Sequence, residues 1–374
     1  MPGIKTLFAL SLSAPLAFAA CDNANPGTAD MQPAVVFPLP GATCTPPTGE
    51  LAACTCSPLD YAPRDQQSKN DAWPACISDQ GTYKLLGMST PAAASRVAAF
   101  ESMGARLWKK GSAPTPDDFR LARVDYAVAE GIGSRVARRQ DIHYPEFSED
   151  KFACSDPATA VAHPDRCAGP GRLAPIINDA FEQGTNGVTP LIQAARLEAA
   201  LLWFFYISSL SEGWTSTFDD IEDVDSMAGY YNGAQQRDQR QGLSSYVYAL
   251  SPATHDRIFD AFLGARCWRD LDPAFPAKRL DMYQAISGQA DRALTRGMVL
   301  ILADRIGKVT TGATDVQAAQ LAFVKVLGGL LDRAVRAVDP AKADALKANL
   351  AAATPDKVDI KAAQDILSKA FPCA

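Results

Sequence analysis

GVTPLIQAARLEAALLWFFYISSLSEGWTSTFDDIEDVDSMAGYYNG, residues 187–233, joins a strongly apolar helical segment to the densest run of carboxylates in the chain. Pro190 suits the first position of a helix, and nothing breaks the pattern from Leu191 to Leu210. Counting three, four and seven residues from Glu198 lands on Leu191, Ala194, Ala195, Leu201, Leu202 and Phe205, so Glu198 faces a core. The segment Ala199 to Ile207 is apolar on every side, which predicts a central helix with neighbours all round rather than a membrane span, given Arg196 and Glu198 beside it. A carboxylate facing such a core must be paired, hydrogen-bonded, metal-bound or protonated. Two readings stay open: an ion pair with an Arg of a neighbouring helix, or a cation ligand.

Glu212, Asp219, Asp220, Glu222, Asp223 and Asp225 place six acids within fourteen residues. Their spacing lacks the alternate acids and the sixth-position Gly of an EF-hand calcium loop. They supply either a solvated loop with an acidic first turn for the next helix or a hard-cation site.

Outward from this stretch the pattern stays helical. Ser89 or Thr90 before Pro91 starts a helix through Val97, Phe100, Met103 and Leu107. Thr115-Pro116-Asp117-Asp118 starts a second, with Leu121, Val124, Val128, Ile132 and Val136 as its expected apolar row and Gly131 and Gly133 permitting a bend. Leu173, Ile176, Ile177, Ala180 and Phe181 form a third row, and Ser251-Pro252 opens another helix through Ile258, Phe259 and Phe262. Long helices follow over 277–306 and 315–338, with short ones over 340–352 and 359–370. No run of alternating β-branched residues competes, so the expected fold is all-α: antiparallel helices over residues 90–374, in one bundle or in two over about 90–250 and 251–374.

The N-terminus carries an address. Lys5, the apolar run Leu7 to Leu16 and the small residues around Ala17-Phe18-Ala19 read as an export signal over residues 1–20. Ala19-Ala20-Cys21 resembles a bacterial lipobox with Phe18 where Leu is usual, so Cys21 is the expected lipid attachment point, against simple cleavage after Ala19 or Ala20. With nine cysteines in the chain, lipidation of Cys21 leaves eight to pair: Cys44, Cys54, Cys56, Cys76, Cys154, Cys167, Cys267 and Cys373. An even count in an exported chain reads as a disulfide framework. Cys154 and Cys167 bracket a short Pro-containing loop and are the expected local bridge. Residues 21–89, rich in Pro, Gly and Thr, read as a spacer followed by an irregular, disulfide-held arm. A net charge of -6 argues against a nucleic-acid partner.

Only three histidines exist. His163 falls in a polar loop, and His255 in the first turn of a helix, where the dipole disfavours its charged form. His143 and Glu146 form an HxxE around Pro145, and Glu130 before Gly131 is a further candidate inward carboxylate. GxSxG, SxxK, HExxH and phosphate-cradling glycine motifs are absent, so nothing points to an enzyme. An exported helical chain with Asp141-Ile142-His143-Tyr144-Pro145-Glu146 resembles the imelysin family, periplasmic helical proteins associated with iron uptake whose GxHxxE motif binds metal. The preceding Gly is missing here and Pro145 is added. The resemblance implies His143 and Glu146 as ligands of a divalent or iron cation, with Glu130 or Glu198 beside them. The expected function is thus an extracytoplasmic, lipid-anchored protein of the periplasm or cell surface that binds a cation or small ligand through inward carboxylates, non-enzymatically. The alternative is an envelope scaffold that binds a protein partner. The metal candidates are His143, Glu146, Glu198, Glu130, Asp219, Asp220, Glu222, Asp223 and Asp225.

Overall fold

The computed structural model describes residues 60–64, 73–87, 89–147 and 153–371. The export signal over 1–20, the lipid site Cys21, and Cys44, Cys54, Cys56 and Cys373 lie outside them. The described residues form an all-α bundle of thirteen α-helices without a strand: α1 (Ala92–Arg106), α2 (Pro116–Tyr126), α3 (Ile132–Val136), α4 (Pro157–Ala162), α5 (Ala174–Thr185), α6 (Pro190–Thr215), α7 (Asp223–Asn232), α8 (Leu243–Leu250), α9 (Pro252–Leu271), α10 (Leu280–Gly307), α11 (Thr314–Val338), α12 (Pro340–Leu350) and α13 (Ile360–Ala370).

The helix starts follow local chemistry. Thr115 and Asp118 close a reciprocal capping box ahead of Pro116, Ser251 accepts from the Thr254 amide ahead of Pro252, and Asp339 caps α12 ahead of Pro340. Each such cap stabilises its helix by about 1 kcal/mol. Proline at the first position loses no hydrogen bond, because that amide has no partner within the helix.

α6 is the axis of the molecule. It packs on α5, α7, α8, α10 and α11, and every residue from Leu197 to Ser211 is buried. Although α6 is long and apolar enough to cross a membrane, those qualities here serve a core surrounded by other helices. Leu201, Leu202, Phe204 and Phe205 are wholly enclosed, and each contributes roughly 2 kcal/mol of apolar burial. One continuous apolar cluster runs from Tyr61 to Phe371, and α6 packs against α10 and α11 across the position where two bundles would divide.

α2 departs from the expected face. Its buried residues are Phe119, Ala122 and Tyr126, whereas Leu121, Val124 and Val128 are exposed, Val124 by 65%. Two causes act together. The helix stops at Tyr126, and Glu130 then takes a positive φ of 54°, so Ile132 and Val136 enter the core from the separate helix α3. Within α2, the ring of Phe119 packs against Gly184 of α5 so closely that a Cβ there would lie 2.3 Å from it. The larger aromatic surface takes the inward side and turns the aliphatic row outward.

The arm is pinned at many points. Cys76 is disulfide-bonded to Cys267 of α9 across 191 residues, and Cys154 to Cys167 across 13, as expected for the local bridge. Asp60 pairs with Arg257 and Arg292 at 2.6 and 2.8 Å, and Tyr61 exchanges two hydrogen bonds with Gln289. The segment Arg266 to Asp272 is a structural joint, in which Arg266 donates to the Lys84 carbonyl and Asp270 accepts the Ile77 amide.

Candidate functional site

Glu198 is buried and accepts two hydrogen bonds, from Arg305 Nη2 of α10 at 2.7 Å and from the Tyr246 hydroxyl of α8 at 2.8 Å. Burial raises its pKa, and Arg305 and Tyr246 pull it back only in part. Of the two readings of this inward carboxylate, the geometry is that of the ion pair.

His143 is only 1% exposed and lies between two carboxylates. Nδ1 is 2.6 Å from Asp141 Oδ1, and Nε2 is 2.9 Å from Asp291 Oδ1 of α10. Ionised carboxylates only accept, so both nitrogens carry a proton and the ring is an imidazolium. Burial opposes that charge, but Asp291 and Asp141 outweigh it and raise the pKa to about 9. The two aspartates are in turn held below their ordinary range, against their own burial, by His143. Tyr206 of α6 stacks on the ring and donates to Asp291 at 3.2 Å, and Arg333 of α11 adds positive charge facing both aspartates. The assembly ties the 141–144 segment to α6, α10 and α11.

The HxxE does not converge. Pro145 keeps its segment out of a helix, Glu146 is exposed, and its carboxylate accepts from the Trp214 indole at 3.0 Å while both ring nitrogens of His143 are occupied. Glu130 is a second correction. Its left-handed backbone turns the side chain out, 68% exposed, toward Arg138 at 2.8 Å and Arg135 at 3.6 Å, while its carbonyl takes Arg96.

The acidic run divides in two. Asp219, Asp220 and Glu222 are exposed, and Asp220 accepts the Glu222 amide just before α7. Asp225 is buried and binds the arm, accepting from the Tyr83 hydroxyl and the amides of Leu86 and Gly87 at 2.9, 2.6 and 3.1 Å. Asp223 accepts from Thr215 at 2.5 Å, and burial followed by the charge of Glu212 pushes its pKa up to about 7. Glu212 itself accepts from Arg139 at 2.6 Å, and the Tyr230 hydroxyl joins Arg139 to Arg96. Tyr231 binds Nδ1 of His255, whose Nε2 faces the Arg237 carbonyl, and burial lowers the pKa of that histidine. Among the described residues no group of three His, Cys, Asp or Glu side chains is arranged to hold a metal ion.

What the structure does assemble is a cleft of about 410 Å³ between α6, α11, α12 and the 141–144 and 165–172 segments. A glycine pair inside α11 lines it. A Cβ on Gly328 would lie 2.5 Å from Leu350 of α12, and one on Gly329 would lie 3.3 Å from the Trp203 ring of α6. Glycine at both positions lets Leu350 of α12 and the Trp203 ring approach the α11 backbone closely. Trp203, Leu346 and Leu350 give it apolar walls, and Asp141, backed by His143, forms part of its polar side. Periodicity could not mark Trp203, Lys325 or Lys347 as lining residues, because they meet only in space. The Gly-Gly pair within a helical pattern was the available signal.

No family model, curated protein or solved structure matches the chain.

Proposed function

We infer that the chain is an extracytoplasmic, non-enzymatic binding protein, tethered through Cys21, that takes a small molecule in the cleft between Trp203 and α12. The cleft carries this reading. Its volume of about 410 Å³ falls in the ~300–1,000 Å³ range of ligand pockets, and its lining mixes apolar walls with a few charged groups. The two described disulfides support an oxidising compartment. The enclosure of His143, with both nitrogens engaged, supports a binding role over a catalytic one. Of the two expected occupants, the small ligand is favoured over a cation, since Glu198 and Glu130 already face arginines.

Native mass spectrometry of the mature protein, purified with its disulfides intact, tests the reading. A small-molecule adduct on the wild type that is lost in Gly329→Leu, which fills the cleft from an accessible helix position, supports it. A protein free of adducts that also binds nothing from a small-molecule library overturns it.

A second reading, a partner-binding scaffold of the envelope, is favoured by one observation: the exposed row of Leu121 and Val124 on α2 and Val128 just past its end. Changing that row to Ser would abolish capture of an envelope partner under this reading and leave ligand binding untouched.

A further inference from the structure

We propose that the cleft selects an anionic amphiphile, an apolar body ending in a carboxylate or phosphate, and that Lys325 and Lys347 hold its charged end. The inference rests on the ligand-binding reading above. It follows from pairing off the charges that line the cleft. Asp165 is bound by Arg172, Asp332 by Arg336 at 3.0 Å, and Asp141 by the imidazolium of His143 at 2.6 Å. Each lining acid therefore has a cation against it, although His143 also serves Asp291, with Arg333 facing both of those aspartates, and Arg336 also serves Asp344. Lys325 of α11 and Lys347 of α12 line the same cleft, and neither makes an ion pair among the described residues. The surplus is positive and comes from two side chains on facing helices. An anion between them would gain two charge-assisted hydrogen bonds, while a cation would meet like charges.

The remaining lining fixes the other end of the ligand. Trp203, Leu330, Leu346 and Leu350 are buried and apolar, so the body that lies against them is hydrocarbon or aromatic. The volume is near the lower end for ligand pockets, which suits a single chain or a fused ring. A long, flexible ammonium donor suits either head group, because it acts as a point charge without the planar preference of arginine.

The experiment is a titration of the full mature protein followed by Trp203 emission, with Trp203→Phe as the control that assigns the signal. The probes share one tail: decanoate, decyl phosphate, decanol and decylamine, with acetate and inorganic phosphate as head groups alone. The expected result is that decanoate and decyl phosphate bind at least tenfold more tightly than decanol, that decylamine binds weakest, and that the bare head groups bind weakly. Lys325→Ala with Lys347→Ala should remove the tenfold preference for the anionic probes over decanol. Both lysines are exposed, so their loss should leave the fold intact. Equal binding of decanol and decanoate, or an unchanged preference in the double variant, overturns the anionic selectivity while the ligand-binding reading stands. Binding of none of the four overturns the amphiphile, while the ligand-binding reading falls only with the adduct and library test above. Tight binding of inorganic phosphate alone overturns the amphiphile and leaves a plain anion site.

Discussion

Glu198 and Arg305 meet at 2.7 Å in the middle of the molecule, one from α6 and the other from α10, and the carboxylate is the more deeply buried of the two. Removing only the cation strands the anion. Arg305→Leu is expected to cost about 3 kcal/mol, whereas joint replacement of both by Leu costs less than the single change. Urea unfolding of the two singles and the double tests this, and strict additivity would contradict it.

His143 predicts an alkaline loss of stability. Its pKa is about 9 in the fold against about 6.5 in an unfolded chain, so the folded state binds the proton more tightly. The contribution is complete below about pH 6.5 and is lost as the pH rises through 9, on the order of 3 kcal/mol for that difference. His143→Gln should be less stable at pH 6 and should lack this decline between pH 6.5 and 9. A parallel decline in both proteins, measured by denaturant midpoints, would assign it elsewhere.

Asp223 acts in a lower window. Its pKa is raised to about 7, so its contribution is complete below about pH 4 and is lost as the pH rises through 7. Because the group is partly open to solvent, the effect is about 1 kcal/mol. Asp223→Asn should flatten that slope and equal or exceed wild-type stability at pH 8. A wild-type slope retained in the variant over pH 4–7 would contradict the assignment.

The disulfide between Cys76 and Cys267 closes a loop of 191 residues. Cys76→Ser should lower stability by roughly 2–4 kcal/mol and raise protease cleavage within residues 73–87 before the helices are attacked. Limited proteolysis with mapped cut sites reads this, and cleavage beginning within α6 or α10 would contradict it.

The axis was legible because α6 has proline at its start, an apolar run from Ala199 to Ile207 and, in Glu198, an acid whose neighbours at helical spacing are all apolar, although Thr189 ahead of it takes a positive φ of 44° and its side chain caps nothing. The burial of Glu198 and the capped starts of α2, α9 and α12 follow from the same local chemistry. The HxxE misled because the decisive partners of His143 are Asp141, two residues before it, and Asp291, 148 residues away, and a pattern of four residues contains neither. The α2 face misled because periodicity weighs Leu121 and Val124 like Phe119, whereas packing against Gly184 favours the ring. The cleft was illegible for a related reason. Trp203, Lys325 and Lys347 lie on three different helices, and Gly328 and Gly329 between them carry no side chain for a pattern to count.

The most direct test of the ligand-binding account is a thermal-shift screen of small amphiphiles on the wild type and Gly329→Leu in parallel. The account predicts that at least one compound class raises the wild-type melting temperature by several degrees at saturating concentration and leaves the filled variant unmoved. Equal shifts in both proteins, or none in either, would contradict it.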